Sequence, residues 1–209
     1  PHASVEISKV SNEELASLTP SAKDRICGFV ATLPLIDVEL SIREAEVAIK
    51  QCGAAGVQLY TSVLQRPLDD PEFEPLFEAL AELDRPILLH PTRSMVTADY
   101  PGEECSRFDL WWALGWPYET TLALVRLAFS GVFQRHPELK IIGHHVGGYL
   151  PMLAGRLGPG MELLGTRNPP GTERLVDTRL SEPILTACQR FYADTASVGS
   201  EAALECGTA

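Results

Sequence analysis

Residues 67–90 read PLDDPEFEPLFEALAELDRPILLH, and this stretch decides the fold. Its first part signals a helix. Asp70 offers a carboxylate to free backbone amides, and Pro71 stands where no N–H is needed. Phe73, Leu76, Phe77, Leu80 and Leu83 then recur at the spacing of one buried helical face. Pro86 ends that pattern, and Pro86–His90 is a short apolar strand that finishes on a histidine. A helix running straight into an apolar strand is half of a strand–helix–strand repeat.

The repeat continues on both sides. Upstream, GFVATLPL (Gly28–Leu35) reads as a buried strand. Val38–Gln51 reads as an amphipathic helix that Gly53 is placed to end, and AGVQLYT (Ala55–Thr61) as a second strand. Downstream, a helix over Glu119–Gln134 turns Leu122, Val125, Phe129, Val132 and Phe133 inward and leads to KIIGHHVGG (Lys140–Gly148), a strand and turn. The Gly- and Pro-rich stretch Gly158–Gly171 reads as loop, Ser181–Arg190 as a short helix, RFYADT (Arg190–Thr195) as a fifth strand and Ser200–Cys206 as the start of another helix. Strands alternating with helices imply an α/β fold with a parallel sheet covered by helices. A doubly wound open sheet and a TIM barrel both fit. No GxGxxG follows a strand and no Walker A loop occurs, which weighs against nucleotide binding.

At ~150 residues per domain, the 209 residues suggest one domain over 1–209. Acidic side chains number 28 against 17 basic ones, for a net charge of −11, so phosphate backbones and anionic membrane surfaces are poor partners. No apolar run approaches the ~20 residues of a membrane span, and PHASVEISKV lacks the basic start and apolar centre of a signal peptide. Five scattered cysteines with no CxxC pair favour a reducing compartment, the cytoplasm, over a disulfide framework or thiolate zinc site.

Parallel α/β proteins place their chemistry at the carboxyl ends of strands. His90 ends one strand, His144-His145 another, and Asp194 lies near the end of a third. His90 reads either as a metal-ligating imidazole or as a buried histidine bonded to backbone. His144 and His145 face opposite ways on an extended chain, so only one can enter the site. Asp194 reads first as the cap of the next helix or a partner of Thr195, and second as a ligand or base. The connection 91–117 holds all three tryptophans, among them Trp116, and is long enough to be a lid over an apolar ligand or a satellite core cluster. Within it, Arg93 reads as a fork for a substrate carboxylate or as solvated surface. No GxSxG elbow supports a serine hydrolase.

Three blocks carry a likeness to known proteins: PLDDPEFEPLFEALAELDRPILLHP, GWPYETTLALVRLAFSGVFQRHPELKIIGHHVGGYLPMLAGR and RFYADTA. Together they resemble the amidohydrolase-related family, on the branch of aminocarboxymuconate-semialdehyde decarboxylase and the resorcylate-type decarboxylases, from about Asn12 to Cys206. The resemblance implies a TIM (β/α)8-like barrel with one divalent metal, zinc or manganese. It implies His90 as a metal ligand and His145, not His144, as the acid–base catalyst beside the metal. It also implies an N-terminal HxH pair and a late aspartate, and this sequence contains neither. The barrel is therefore expected to be incomplete here, with first and last strands missing. The chain alone is expected to be inactive, holding little or no metal at His90.

The expected reaction is non-oxidative decarboxylation of a small aromatic or unsaturated carboxylic acid, with Arg93 and Trp116 shaping the acid pocket. Metal-dependent hydrolysis of a lactone or amide is the nearest alternative, and a non-catalytic ligand-binding barrel is the alternative of another class. Self-association as a homodimer or larger homo-oligomer is implied by the resemblance alone. The whole expectation depends on His90 and His145 converging on one cation.

Overall fold

The computed structural model describes residues 2–22, 24–161, 163–172, 180–197 and 199–208. Of the loop expected over Gly158–Gly171, residue 162 lies outside the described residues. The chain divides into two compact units, Pro1–His90 with Glu138–Ile142, and Pro91–Pro137 with Gly143–Ala209.

The first unit is a parallel sheet covered by helices. Its elements are α1 (His2–Leu18), β1 (Val30–Thr32), α2 (Val38–Lys50), β2 (Gly56–Tyr60), a small hairpin of β3 (Ser62–Val63) and β4 (Arg66–Pro67), α3 (Glu74–Glu82), β5 (Ile87–His90) and the first two residues of β6 (Ile141–Gly143). The strand order is β1-β2-β5-β6. β1 and β5 both pair in parallel with β2, which sets Val57 opposite Ile87 and Tyr60 opposite His90. Side chains alternate across a strand. Val57, Leu59, Ile87 and Leu89 are accordingly fully buried on one face, while Gln58, Tyr60, Leu88 and His90 are half-buried on the other.

The helices start where the sequence signals them. The Asp37 carboxylate accepts from Leu40 N at 2.9 Å to cap α2, a bond worth about 1 kcal/mol. Asp70 accepts from Glu72 N at 3.0 Å, although the first turn it caps is a tight 3-10 turn, Pro71–Phe73, that runs into α3. Phe73, Leu76, Phe77 and Leu80 are buried as their spacing requires. α1 has no counterpart in the sequence reading. Its buried residues are polar, Ser8 and Asn12, while Ile7, Val10 and Leu18 are exposed. Asn12 docks it: its amide donates to Thr32 O and to Glu44 Oε1, and its carbonyl accepts from Thr32 N.

The second unit centres on α5 (Gly115–Phe129), preceded by the short helix α4 (Leu110–Ala113). The expected helix over Glu119–Gln134 therefore starts four residues early and breaks before its end. Pro117 is tolerated because the first turn of a helix needs no N–H there. Gly131, at φ +73°, ends the run, and a separate turn of helix covers Val132–Arg135. Leu124, Leu127, Val132 and Phe133 form the buried side, whereas Leu122, expected inward, is exposed and Val125 and Phe129 are half-buried. Helix Ile184–Cys188 packs on α5. β7 (Tyr192–Ala193) follows, and the next residue, Asp194, donates its N–H to Gly143 O of β6. Helix Glu201–Thr208 closes the described chain. Among the described residues no helix is long and apolar enough to cross a membrane.

Candidate active site

Within the second unit, the last residue of β6 leads into a turn of unusual backbone. His145, Val146, Gly147 and Gly148 all have positive φ, at 59°, 59°, 72° and 69°. Two consecutive non-glycine residues in the left-handed region, one of them β-branched, cost roughly 1–2 kcal/mol each. Several bonds hold the turn. Asp194 Oδ1 accepts from Val146 N at 3.2 Å and from Ala196 N at 3.0 Å. Its Oδ2 lies 2.8 Å from His144 Nδ1, and because a carboxylate only accepts, that nitrogen donates. At the far end, Tyr149 N donates to Thr121 Oγ1 at 2.7 Å. Hydrogen bonds to a charged acceptor contribute about 1.5–3 kcal/mol apiece, enough to offset the strain. Strain held at one turn by surrounding bonds is characteristic of functional positions.

The turn carries His145 against the aromatic segment. Its ring stacks on Trp116 at 5.6 Å between centroids and 27° between planes. Trp116 is itself fixed: its indole N–H donates to Arg93 O at 2.8 Å, and Trp111 and Trp112 meet its ring edge-on. The Glu119 carboxylate accepts from Thr92 N and Arg93 N, which ties the start of the segment to α5. A cavity of about 630 Å³ opens beside this stack, walled by Trp112, Trp116, His145, Tyr149, Met152 and Cys206. That size suits a small ligand. Burial raises the pKa of the Tyr149 hydroxyl, which donates to Leu114 O at 3.1 Å.

The structure thus brings together two expected residues, His145 and Trp116. Arg93 is held within its own loop. The guanidinium assigned to a substrate carboxylate is engaged by its own loop: Nη2 donates to Ala98 O at 3.0 Å and lies 3.9 Å from Asp99 Oδ1. Asp99 in turn accepts from Arg107 N and the Ser106 hydroxyl, and these bonds hold its carboxyl below the usual carboxylate range. Asp194 differs in detail from its expected cap, bonding Ala196 rather than Thr195.

His90 belongs to the first unit, at the end of β5, with its ring edge-on to Tyr60 at 6.4 Å. It offers one imidazole, and in the second unit His144 is already paired with Asp194. Among the described residues no three His, Cys, Asp or Glu side chains come together to hold a metal ion. The described residues do not by themselves make a divalent-metal centre.

The sequence reading missed the His144–Asp194 pair, whose members are far apart in the chain. A signal was present: both stand at the ends of consecutive strands, and consecutive strands of α/β folds are usually neighbours.

Comparison with known proteins bears on the fold and the family. The chain is 33% identical over 160 residues to 2-amino-3-carboxymuconate-6-semialdehyde decarboxylase of Dictyostelium discoideum, covering 77% of this chain and 43% of that protein. It is 33% identical over 165 residues to a gamma-resorcylate decarboxylase of Polaromonas, covering 73% and 48%. Among solved structures, 5-carboxyvanillate decarboxylase of Sphingomonas paucimobilis superposes with a TM-score of 0.82 at 25% identity, over 99% of this chain and 59% of that one. The related enzyme of Novosphingobium aromaticivorans, solved with bound manganese, superposes with a TM-score of 0.80 at 26% identity, over 97% and 57%. The chain spans about half the length of the curated relatives it matches, and its α/β fold is that of these TIM-barrel enzymes over roughly three-fifths of their length. Residues 3–162 match the family described as Amidohydrolase. With that match over most of the chain, this protein belongs to the amidohydrolase family.

Proposed function

We propose that the protein containing this chain is a non-oxidative decarboxylase of a small aromatic carboxylic acid. The observation that carries the reading is His145: an imidazole on a strained turn after a strand, stacked on Trp116 at the wall of an apolar cavity. Relatives that decarboxylate resorcylate, carboxyvanillate and aminocarboxymuconate semialdehyde support it.

The chemistry follows from what the cavity offers. Trp112, Trp116 and Met152 give flat, apolar walls for an aromatic ring and keep water away from it. His145 delivers a proton to the ring carbon that bears the carboxylate, forming a C–H bond. The C–C bond then breaks, its electron pair returns to the ring, and carbon dioxide leaves. Solvent returns the proton to the imidazole, so the balance is one carboxylate and one proton giving one arene and one carbon dioxide. General acid catalysis of this kind contributes about 10²–10⁴-fold.

His90 stands in this reading as the imidazole this chain contributes to the divalent metal, zinc or manganese. The segment 91–117 serves as a wall and lid, with Arg93 tying it down. All five cysteines are free, in keeping with a reducing, cytoplasmic setting.

The test is to supply the whole protein, with manganese or zinc, with a panel of hydroxybenzoates, methylsalicylates and unsaturated acids, together with lactones and amides. Carbon dioxide release from an acid in the panel is expected. Hydrolysis products without carbon dioxide would replace the reading with a hydrolase. Ligand binding without turnover of any compound would replace it with a non-catalytic barrel.

A further inference from the structure

We infer that Asp194 and His144 are positioning residues for His145: the carboxylate, clamped by the His144 imidazole, holds the left-handed turn that lays the His145 ring against Trp116. The inference rests on the decarboxylase reading for the catalytic role of His145, but its geometry stands independently.

One carboxylate reaches three places at once. Oδ1 takes the N–H of Val146, the residue directly after His145, and also that of Ala196. Ala196 and Ser197 belong to the cavity wall. The backbone N–H of Asp194 donates to Gly143 O, directly before the histidine pair. Asp194 therefore grips the turn on both sides of His144-His145 and joins it to the 196–197 wall.

His144 fixes the carboxylate in turn. Its Nδ1–H, 2.8 Å from Oδ2, sets the carboxylate plane so that the other oxygen faces the two amides. The adjacent histidines thus divide the labour. One ring holds Asp194, and the other, 6.0 Å away between centroids, faces Trp116. The far end of the turn is anchored separately, through Thr121 Oγ1. If the near anchor is lost, Val146 N–H loses its acceptor, the positive φ values of His145 and Val146 lose their support, and the His145 ring moves off the indole. A displacement of about 1 Å in a catalytic group costs up to ~10²-fold in rate.

The experiment uses the whole protein with ¹³C-labelled histidine, in wild type and in Asp194→Ala, Asp194→Asn, His144→Ala and His144→Gln. Each is read by NMR of the imidazole protons and by kcat and KM for carbon dioxide release. In wild type, the Trp116 ring current shifts the His145 signal upfield, and its loss in His145→Asn assigns it. Asp194→Ala is expected to return that signal toward the value of free histidine, leaving the other histidine signals in place apart from that of His144. Its kcat is expected to fall roughly 10–100-fold with KM nearly unchanged. Asp194→Asn keeps an oxygen for the two amides but loses the acceptor for His144, so it lies between. His144→Gln, which still donates to the carboxylate, is expected to exceed His144→Ala. If Asp194→Ala does not fold, the other three variants carry the comparison. A His145 signal and kcat that stay within twofold of wild type in every folded variant would overturn the inference. So would a uniform shift of all histidine signals, the mark of a general fold staple. If the wild type releases no carbon dioxide, the decarboxylase reading fails, while the NMR arm still decides whether Asp194 positions His145.

Discussion

His144 and His145 are neighbours in sequence with different surroundings, and the reason is local. The sequence suggests an extended strand, on which they would point to opposite faces with only one entering a site, but β6 ends at Gly143 and both lie in the turn beyond it, with His145 left-handed. What the sequence does not show is which partners each finds. Asp194 arrives from another strand end, and Trp116 from the long aromatic segment, so both contacts depend on the folded chain. Arg93 is the converse case. Its chemistry is legible as a carboxylate fork, and only the fold sets its Nη2 beside Ala98 O and Asp99. The cysteines give a prediction at this scale. Burial pushes the Cys188 thiol up to about 12, whereas Cys27 and Cys206 are exposed. Only the thiolate attacks an alkylating agent. Iodoacetamide at pH 8 is therefore expected to modify Cys27 and Cys206 in the native protein and to reach Cys188 only after denaturant is added. Peptide mass spectrometry reads the result, and native labelling of Cys188 as fast as Cys206 would contradict it.

Among the elements, β5 and α3 were legible because apolar spacing and a proline boundary agree. α1 was not, because it buries Ser8 and Asn12 and leaves Ile7, Val10 and Leu18 outside. A rule that looks for apolar residues on the inner face finds only the half-buried Val5 and Ala16 there. The ends of α5 were missed for a related reason. Pro117 looks like a stop but lies in the first turn, and Gly131 breaks the helix by a positive φ that spacing alone does not announce. The 144–148 turn is the sharpest case, since His145 and Val146 are not residues that advertise left-handed backbone. Gly147 and Gly148 are, and of the two Gly148 is the more tightly enclosed. It sits at φ 69°, ψ −126°, and an added Cβ would lie 2.3 Å from Pro117 O and 2.6 Å from Thr121 Oγ1. Gly148→Ala is expected to cost about 2–4 kcal/mol and to lower Tm by roughly 5–10 °C. Gly155→Ala, where nothing lies within 4 Å, is the control and leaves Tm within about 2 °C. Equal melting of the two variants would show that the turn is not built as described.

At the scale of the molecule, strand–helix alternation was enough to read an α/β fold, and the sheet strands of the first unit are those the apolar runs marked. The barrel character came from the resemblance, and the superposition on amidohydrolase decarboxylases supports it. The metal was not legible as a site, because one imidazole at the end of β5 is a single ligand and no group of three forms among the described residues. In the proposed reaction His145, in its apolar cavity, replaces a carboxylate by a proton. The most direct measurement runs the whole protein in deuterium oxide with an aromatic acid that it turns over, in wild type and in His145→Asn, and analyses the product by mass spectrometry and NMR. The account predicts an arene with one deuterium at the carbon that bore the carboxylate, formed at least ~100-fold more slowly by the variant. A product that keeps its carboxyl carbon, or a variant as fast as wild type, would contradict it.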